Sequence, residues 1–400
     1  MSIETSVDLP SFPMARDPRC PFDPPPGLRF DPPLRRVRIW DGSTPWLVTG
    51  YEHVRALLAD PRVSADATRP GYPFSTVALS ASVRRGNTFM SMDDPEHAHY
   101  RRMLTSYFSV RRLATLRPRI RSMAEGLIET MTAAGDQADL VAALALPLPS
   151  MVICELLGVP YEERARFHRL AGVSISTTAT AEQALAAADE MLGMITDLVT
   201  ARATRPSEDI LSHLVQQGEL STGEIAAVGR VLLLAGHETT ANMISLGTAA
   251  LLLHPEQLAQ LRATTDPALV ASTVEELLRY LTITHHGRRR IALADIEIAG
   301  VTIRAGEGLV LTIESANRDP RAFPGDPDRI DIHRNPRHHL AFAFGPHQCL
   351  AQALARLELE IVFGTLFRRI PTLALAEPVE KLRFKHDMRI FGLHALPVRW

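Results

Sequence analysis

The chain has 400 residues, 46% hydrophobic and 22% charged, the proportions of a globular protein whose core needs no disulfide support. Its 43 Lys and Arg against 45 Asp and Glu leave a formal net charge of −2, which gives no reason to expect a nucleic-acid partner. The three cysteines, Cys20, Cys154 and Cys349, are too sparse for a disulfide framework or a CxxC zinc site and point to a reducing compartment. Length alone allows about two or three domains at ~150 residues each. No linker-like stretch divides the sequence, so residues 1–400 are expected to form a single domain.

The N-terminus carries Asp8, Arg16, Asp17 and Arg19 and holds no apolar run of signal or anchor length. Pro24, Pro25, Pro26, Pro32 and Pro33 make residues 1–35 a proline-rich meander. Val37–Trp40 and Trp46–Thr49 flank Asp41-Gly42 and predict a hairpin. A short helix is expected over Glu52–Leu58. Ser64–Asn87, with Pro70, Gly71, Pro73 and Gly86, reads as a long loop. From Pro95 to His254 the pattern is nearly all helix, broken at Gly135-Asp136 and Gly158-Val159-Pro160. Within it, Ile225–Leu253 is apolar almost all round, yet Arg230, His237 and Glu238 rule it out as a membrane span. A helix over Pro267–Tyr280 follows. Ile296, Ile298, Val301 and Ile303 then alternate, predicting short strands between Arg290 and Leu311. Asn317–Asn335 is irregular, Leu350–Arg368 helical, and Arg389–Arg399 a final hairpin. The fold class is mainly α, of the α+β kind, in a cytoplasmic protein with neither nucleic acid nor membrane as partner.

Four segments carry chemistry-bearing residues, and each has a plain structural explanation when taken singly. Phe342–Cys349 is a Gly/Pro loop that ends in a cysteine at a helix start. Unpaired N–H groups and the helix dipole there would favour a thiolate at Cys349, although a buried free cysteine is the commoner case. Ala235-Gly236-His237-Glu238-Thr239-Thr240 places a carboxylate and hydroxyls in the middle of the apolar helix. The plain explanation is a kink made by threonines bonded back to carbonyls. A zinc HExxH motif is excluded because Ala241 stands where the second histidine belongs. Glu276 and Arg279 form an i, i+3 pair, alone a common surface feature. His97 and Arg101, after Asp94-Pro95-Glu96, share a helix face that could clamp an anion.

Together and in this order, these segments resemble the cytochrome P450 superfamily, closely the soluble bacterial, actinomycete-like kind, from about Asp41 to the C-terminus. The loop Phe342-x-x-Gly345-x-His347-x-Cys349 is similar to the family's haem-binding loop. Ala-Gly-x-Glu-Thr-Thr is similar to its oxygen-binding helix, and Glu276-x-x-Arg279 to its ExxR motif. The resemblance implies a buried haem b with Cys349 as axial ligand of the iron and Phe342 beside it. It implies His97, Arg101, Arg290 and His347 at the propionates. Ala235, Gly236, Thr239 and Ala351 would lie against the ring, Gly236 leaving room for it. Glu238 and Thr239 become the acid–alcohol pair that relays protons toward oxygen. Glu276, Arg279 and Arg329 form a buried lock. Two positions usually glycine in the family hold alanine here, Ala343 and Ala351.

The implied activity is a haem-thiolate monooxygenase that inserts one atom of O2 into an apolar small molecule. That covers hydroxylation or epoxidation in natural-product tailoring or xenobiotic oxidation. Electrons would come from NAD(P)H through a separate ferredoxin, which Arg101-Arg102, Arg111-Arg112 and Arg356 would dock. Alternatives on the same fold are oxidative coupling and peroxide-driven oxidation, and outside catalysis a haem- or ligand-binding protein. Val231, Leu234, Ala235 and His286 are the expected pocket residues. Of the neighbouring His285 and His286, an extended segment would point only one inward, where an ordinary imidazole would titrate near physiological pH.

Overall fold

The computed structural model describes residues 9–29, 31–85 and 88–400. Its thirteen α-helices are α1 (Tyr51–Ala59), α2 (Val77–Arg85), α3 (Glu96–Thr105), α4 (Val110–Ala133), α5 (Pro147–Leu157), α6 (Arg164–Ile175), α7 (Ala181–Thr204), α8 (Ile210–Gln217), α9 (Thr222–Leu252), α10 (Pro255–Ala263), α11 (Pro267–Leu281), α12 (Ile313–Ala316) and α13 (Gln352–Arg369). Local chemistry sets their ends. Ser221 and Glu224 close a capping box at the start of α9, and Thr180 and Gln183 do so for α7. Gly158, at φ 69°, ends α5 in the left-handed conformation that glycine adopts without strain. α9 is the central helix, its apolar circumference packed on α5, α7, α11 and α13. No described helix is long and apolar enough to cross a membrane.

Among the described residues there are also ten short strands: β1 (Leu34–Arg36), β2 (Trp46–Val48), β3 (Val63–Ser64), β4 (Gln137–Asp139), β5 (Arg288–Ala292), β6 (Ile296–Ile298), β7 (Val301–Ile303), β8 (Gly308–Leu311), β9 (Ala374–Leu375) and β10 (Pro397–Arg399). One sheet has the order β1-β2-β8-β5-β3, a second β4-β10-β9, and β6 pairs with β7. A helical body with minor sheets is the class expected.

The N-terminal hairpin is present, but its first strand is β1, upstream of the expected Val37–Trp40. Leu34 pairs with Val48 and Arg36 with Trp46. Pro45 lacks an N–H and cannot extend a regular ladder toward the turn. Ser64–Asn87 is not one loop. Thr76 caps α2 through its hydroxyl, 3.1 Å from the Leu79 N–H, and α2 packs on α7. Gly86 and Asn87, with residues 1–8 and Phe30 of the meander, lie outside the described residues. The expected C-terminal hairpin is absent as well. β10 pairs with β4 and β9 instead, and the Phe391 N–H bonds to the distant Ile283 carbonyl at 2.8 Å.

The lock on α11 is real but differs in its third member. Glu276 and Arg279 are both fully buried and joined by two bonds of 2.7 and 2.8 Å. The further cation is Arg334, whose Nε lies 3.3 Å from Glu276. The Arg329 side chain is exposed, and the residue offers only its carbonyl, 3.3 Å from Arg279. Sequence spacing cannot decide which arginine of an irregular run turns inward.

Candidate active site

The middle of α9 is not buried all round. Ala235 is exposed and Thr239 half-buried, although Val231, Leu232, Leu233, His237 and Glu238 around them are buried. Ala235 and Thr239 are four residues apart and share a face, and the Thr239 hydroxyl donates to the Ala235 carbonyl at 2.6 Å. Leu234 is half-buried, whereas Val231 belongs to the packed core. Gly236 is not on the open face. A Cβ there would meet the Ile153 side chain at 3.1 Å, so this glycine lets α9 approach α5 rather than leaving room for a ring.

Glu238 lies one residue beyond, buried and held from the C-terminal segment. Lys385 Nζ donates to its Oε2 at 3.1 Å and to Asn242 Oδ1 at 3.0 Å, and Asn242 Nδ2 stands 3.5 Å from the same carboxylate. A buried carboxylate requires such partners, and the ammonium supplies the compensating charge. Lys385 has no local sequence signal, because it lies 147 residues from its partner.

The Phe342–Cys349 loop is a compact turn. The Cys349 N–H donates to the Phe342 carbonyl at 2.8 Å, and Gln348 N–H to Gly345 at 3.0 Å. Gly345 has φ 73°, and a Cβ would stand 2.5 Å from the Leu58 carbonyl oxygen, so only glycine fits. Desolvation pushes the Cys349 thiol up from its ordinary pKa. The Ala351 N–H and the charges of Arg288, Arg101 and Arg356 only partly offset it. The expected thiolate is therefore not set by the helix terminus alone, because burial outweighs it; a bound metal cation would be needed to favour that form.

Ala343 occupies the left-handed region at φ 59° and is buried. A non-glycine residue there costs roughly 1–2 kcal/mol. Ala343→Gly should therefore stabilise the protein by about 1 kcal/mol, slightly reduced by the freer unfolded chain. Denaturant titration checks this, and a stability equal to or below wild type would contradict it.

Cations gather around the cysteine. His97 is buried, its Nδ1 3.0 Å from Asp94 Oδ1 and its ring 4.0 Å from that of His347. Burial and the charge of Arg290 pull His347 down to about 3, so it is neutral. In β5, Arg288 and Arg290 fall on one face by strand alternation. Arg289 points the other way, bonding the carbonyls of His286 and Pro73. Arg288 was not singled out from the sequence, although the same alternation would have found it. Its Nε is buried without a hydrogen-bond partner among the described residues, and Cys349 and Tyr72 would be its counter-charges only if they were ionised. Arg101, half-buried, also feels Cys349. Several cations beside a thiol, one with an orphaned donor, suit a ligand that brings its own carboxylates and a metal. Haem meets both requirements.

Other expected contacts fall out differently. His285 and His286 do not diverge. They occupy a turn before Gly287, at φ 66°, and their rings lie together, tilted by 36° with centroids 4.4 Å apart. His285 Nε2 bonds the Met388 carbonyl at 2.7 Å. Burial, with Arg289, Arg389 and Arg16, takes His286 down to about 4, so it does not change charge near neutral pH. Arg356 is bound to Glu275 at 2.5 and 3.0 Å and lies over the Phe342 ring at 4.5 Å. That engagement removes it from the free docking arginines. Arg102, Arg111 and Arg112 are exposed.

Comparison with known proteins agrees with this geometry. A family model described as Cytochrome P450 matches residues 167–397. Cytochrome P450-SU2 of Streptomyces griseolus is 50% identical over 98% of this chain and 98% of its own length. The protein GfsF of Streptomyces halstedii is 50% identical, and its crystal structure superposes with a TM-score of 0.91 over 98% of this chain and 100% of its own. A mycinamicin VIII hydroxylase of Micromonospora griseorubida, solved with mycinamicin VIII bound, is 40% identical with a TM-score of 0.91 over 98% of this chain and 100% of its own. With half-identical relatives along nearly its whole length and a family model over more than half of it, the chain belongs to the cytochrome P450 family and is a P450 monooxygenase.

Proposed function

We propose that the protein hydroxylates or epoxidises a medium-sized, mostly apolar natural product, using O2 and electrons passed from NAD(P)H by a separate ferredoxin. The observation that carries this reading is the acid–hydroxyl pair on α9, with Thr239 on the open turn and Glu238 on a buried ion pair behind it. Haem b, when bound, supplies the oxygen-activating chemistry. Cys349 would bind its iron and His97, His347, Arg101, Arg288 and Arg290 would hold its propionates, with Phe342 and Ala351 flanking the thiol. The Thr239 hydroxyl, anchored on the Ala235 carbonyl, would take a proton from Glu238 and pass one on from the open turn. For that transfer Glu238 would have to leave its Lys385 contact and turn toward Thr239. An intact pair argues for O2 rather than peroxide as the oxidant. Ala235 and Leu234 give the open turn an apolar wall, and a 40%-identical relative of the same fold is solved with mycinamicin VIII bound. The exposed Arg102, Arg111 and Arg112 on α3 and α4 would steer an acidic ferredoxin.

The decisive experiment compares Thr239→Ala and Glu238→Gln with wild type, after a spin-state screen has found a substrate. Both variants should keep haem content and substrate affinity. Product formed per NAD(P)H should fall, peroxide should rise in Thr239→Ala, and kcat should drop by roughly 10²–10⁴. Unchanged product yield in both would refute the assigned roles.

A further inference from the structure

Two imidazoles stand behind Glu238 with no role in the scheme above. His237, on α9, is fully buried against the Phe167 ring, whose centroid is 5.1 Å away. Its Nε2 lies 2.9 Å from the Nε2 of His168 on α6, a ring that is only half-buried. At that distance one ring donates and the other accepts, so the two protonation states are coupled. A ring nitrogen of each histidine and a carboxylate oxygen of Glu238 lie within 4.8 Å of one another. The His237 Nδ1 is buried with no hydrogen-bond partner among the described residues. The cluster thus runs from the surface of α6 to the acid that feeds Thr239.

Two histidines and a carboxylate so close could also hold a divalent metal. The surroundings argue otherwise. The Lys385 ammonium sits 3.1 Å from the same carboxylate, and a second buried cation beside it would be strongly disfavoured. The two nitrogens are at hydrogen-bond distance rather than spread around an ion.

We propose that His168 and His237 form the route by which protons pass from solvent to Glu238. A solvent proton taken up at His168 is shared across the Nε2–Nε2 contact. It leaves a ring nitrogen for Glu238 across a gap of at most 4.8 Å, which one bridging water spans. The carboxylate becomes a carboxyl, the imidazole pair returns to neutral, and one proton has moved inward with no electron transferred. Burial and the charges of His168 and Lys385 keep the His237 pKa well below that of an ordinary imidazole, so a proton placed there is readily released. The proposal rests on the reading of Glu238 as proton donor to Thr239.

The test uses His168→Gln and His168→Phe in the holoenzyme, with Glu238→Gln as reference. Glutamine keeps a hydrogen bond to His237 but cannot take up and release a proton, whereas a purely structural contact would be rescued by it. Both His168 variants should retain the thermal midpoint, CO spectrum and substrate affinity. Both should lose on the order of 10²-fold in O2-driven kcat, with a larger solvent deuterium isotope effect. In the diamagnetic reduced CO form, 15N-histidine NMR should show the shared Nε2–H–Nε2 proton in wild type and lose it in His168→Phe. Wild-type turnover and isotope effect in His168→Gln, or no shared proton in wild type, would overturn the inference. If Glu238→Gln is itself unimpaired, the underlying reading of Glu238 fails instead.

Discussion

Cys349→Ala abolishes the red-shifted Soret band that the reduced CO complex of a thiolate-ligated haem gives, and leaves haem weakly held or lost. The expectation rests on the loop as much as on the sulfur. The Cys349 N–H is tied to Phe342, the Ala351 N–H points at the thiol, and Arg288, Arg101 and Arg356 set their charges around it. In the absence of metal, burial keeps the sulfur protonated, so these donors and cations have their full effect only once an iron cation competes for the proton. Alanine keeps the turn, since no bond made by the Cys349 backbone depends on its side chain. The apoprotein should therefore stay folded, with far-ultraviolet circular dichroism and denaturation midpoint near those of wild-type apoprotein. A variant that keeps full haem content and the red-shifted band would mean that another residue is the ligand.

What the sequence revealed and what it concealed divide along physical lines. Periodic or capped elements were legible, because their signals are local. α9 announced itself by apolar residues all round, α11 by its proline start, and the Cys349 loop by glycine and proline at positions where backbone geometry demands them. Ala343 was noticed as a departure, and its φ of 59° gives the physical reason that glycine is usual there. What stayed hidden depends on contacts across the chain. Lys385 reaches Glu238, His168 reaches His237, and β10 reaches β4, each from a different part of the sequence. No window of neighbouring residues carries that information. His286 misled for another reason. An extended segment predicts divergent rings, but the turn before Gly287 brings the two rings together and buries them, which moves the imidazole away from neutral titration.

The third arginine of the lock shows the same limit with the larger consequence for stability. Glu276 receives two bonds from Arg279, one from Arg334, and the backbone N–H of Asp331 at 2.9 Å. Arg279 also donates to the carbonyls of Asn317 and Pro327 at 2.9 and 2.8 Å. The lock thereby fastens the irregular run 317–335 to α11. That run leads into the cysteine loop, where Asn317 Oδ1 accepts the Leu340 N–H at 2.7 Å. Glu276→Gln removes the charge that balances a fully buried guanidinium and should cost about 3–5 kcal/mol. On a total of roughly 5–15 kcal/mol this is a large loss, and it should appear as a lowered denaturation midpoint with early release of haem. Arg334→Ala, whose side chain is only 13% exposed, should cost about 1–3 kcal/mol, because it leaves Glu276 with a donor fewer and frees the Pro324 and Asp326 carbonyls. Arg329→Ala keeps the carbonyl that Arg279 uses and deletes an exposed side chain, so it should stay within about 0.5 kcal/mol of wild type. Denaturant titration of the three holoproteins, followed by haem absorbance and circular dichroism together, ranks them. Should Arg329→Ala prove more damaging than Arg334→Ala, the third position of the lock would revert to Arg329.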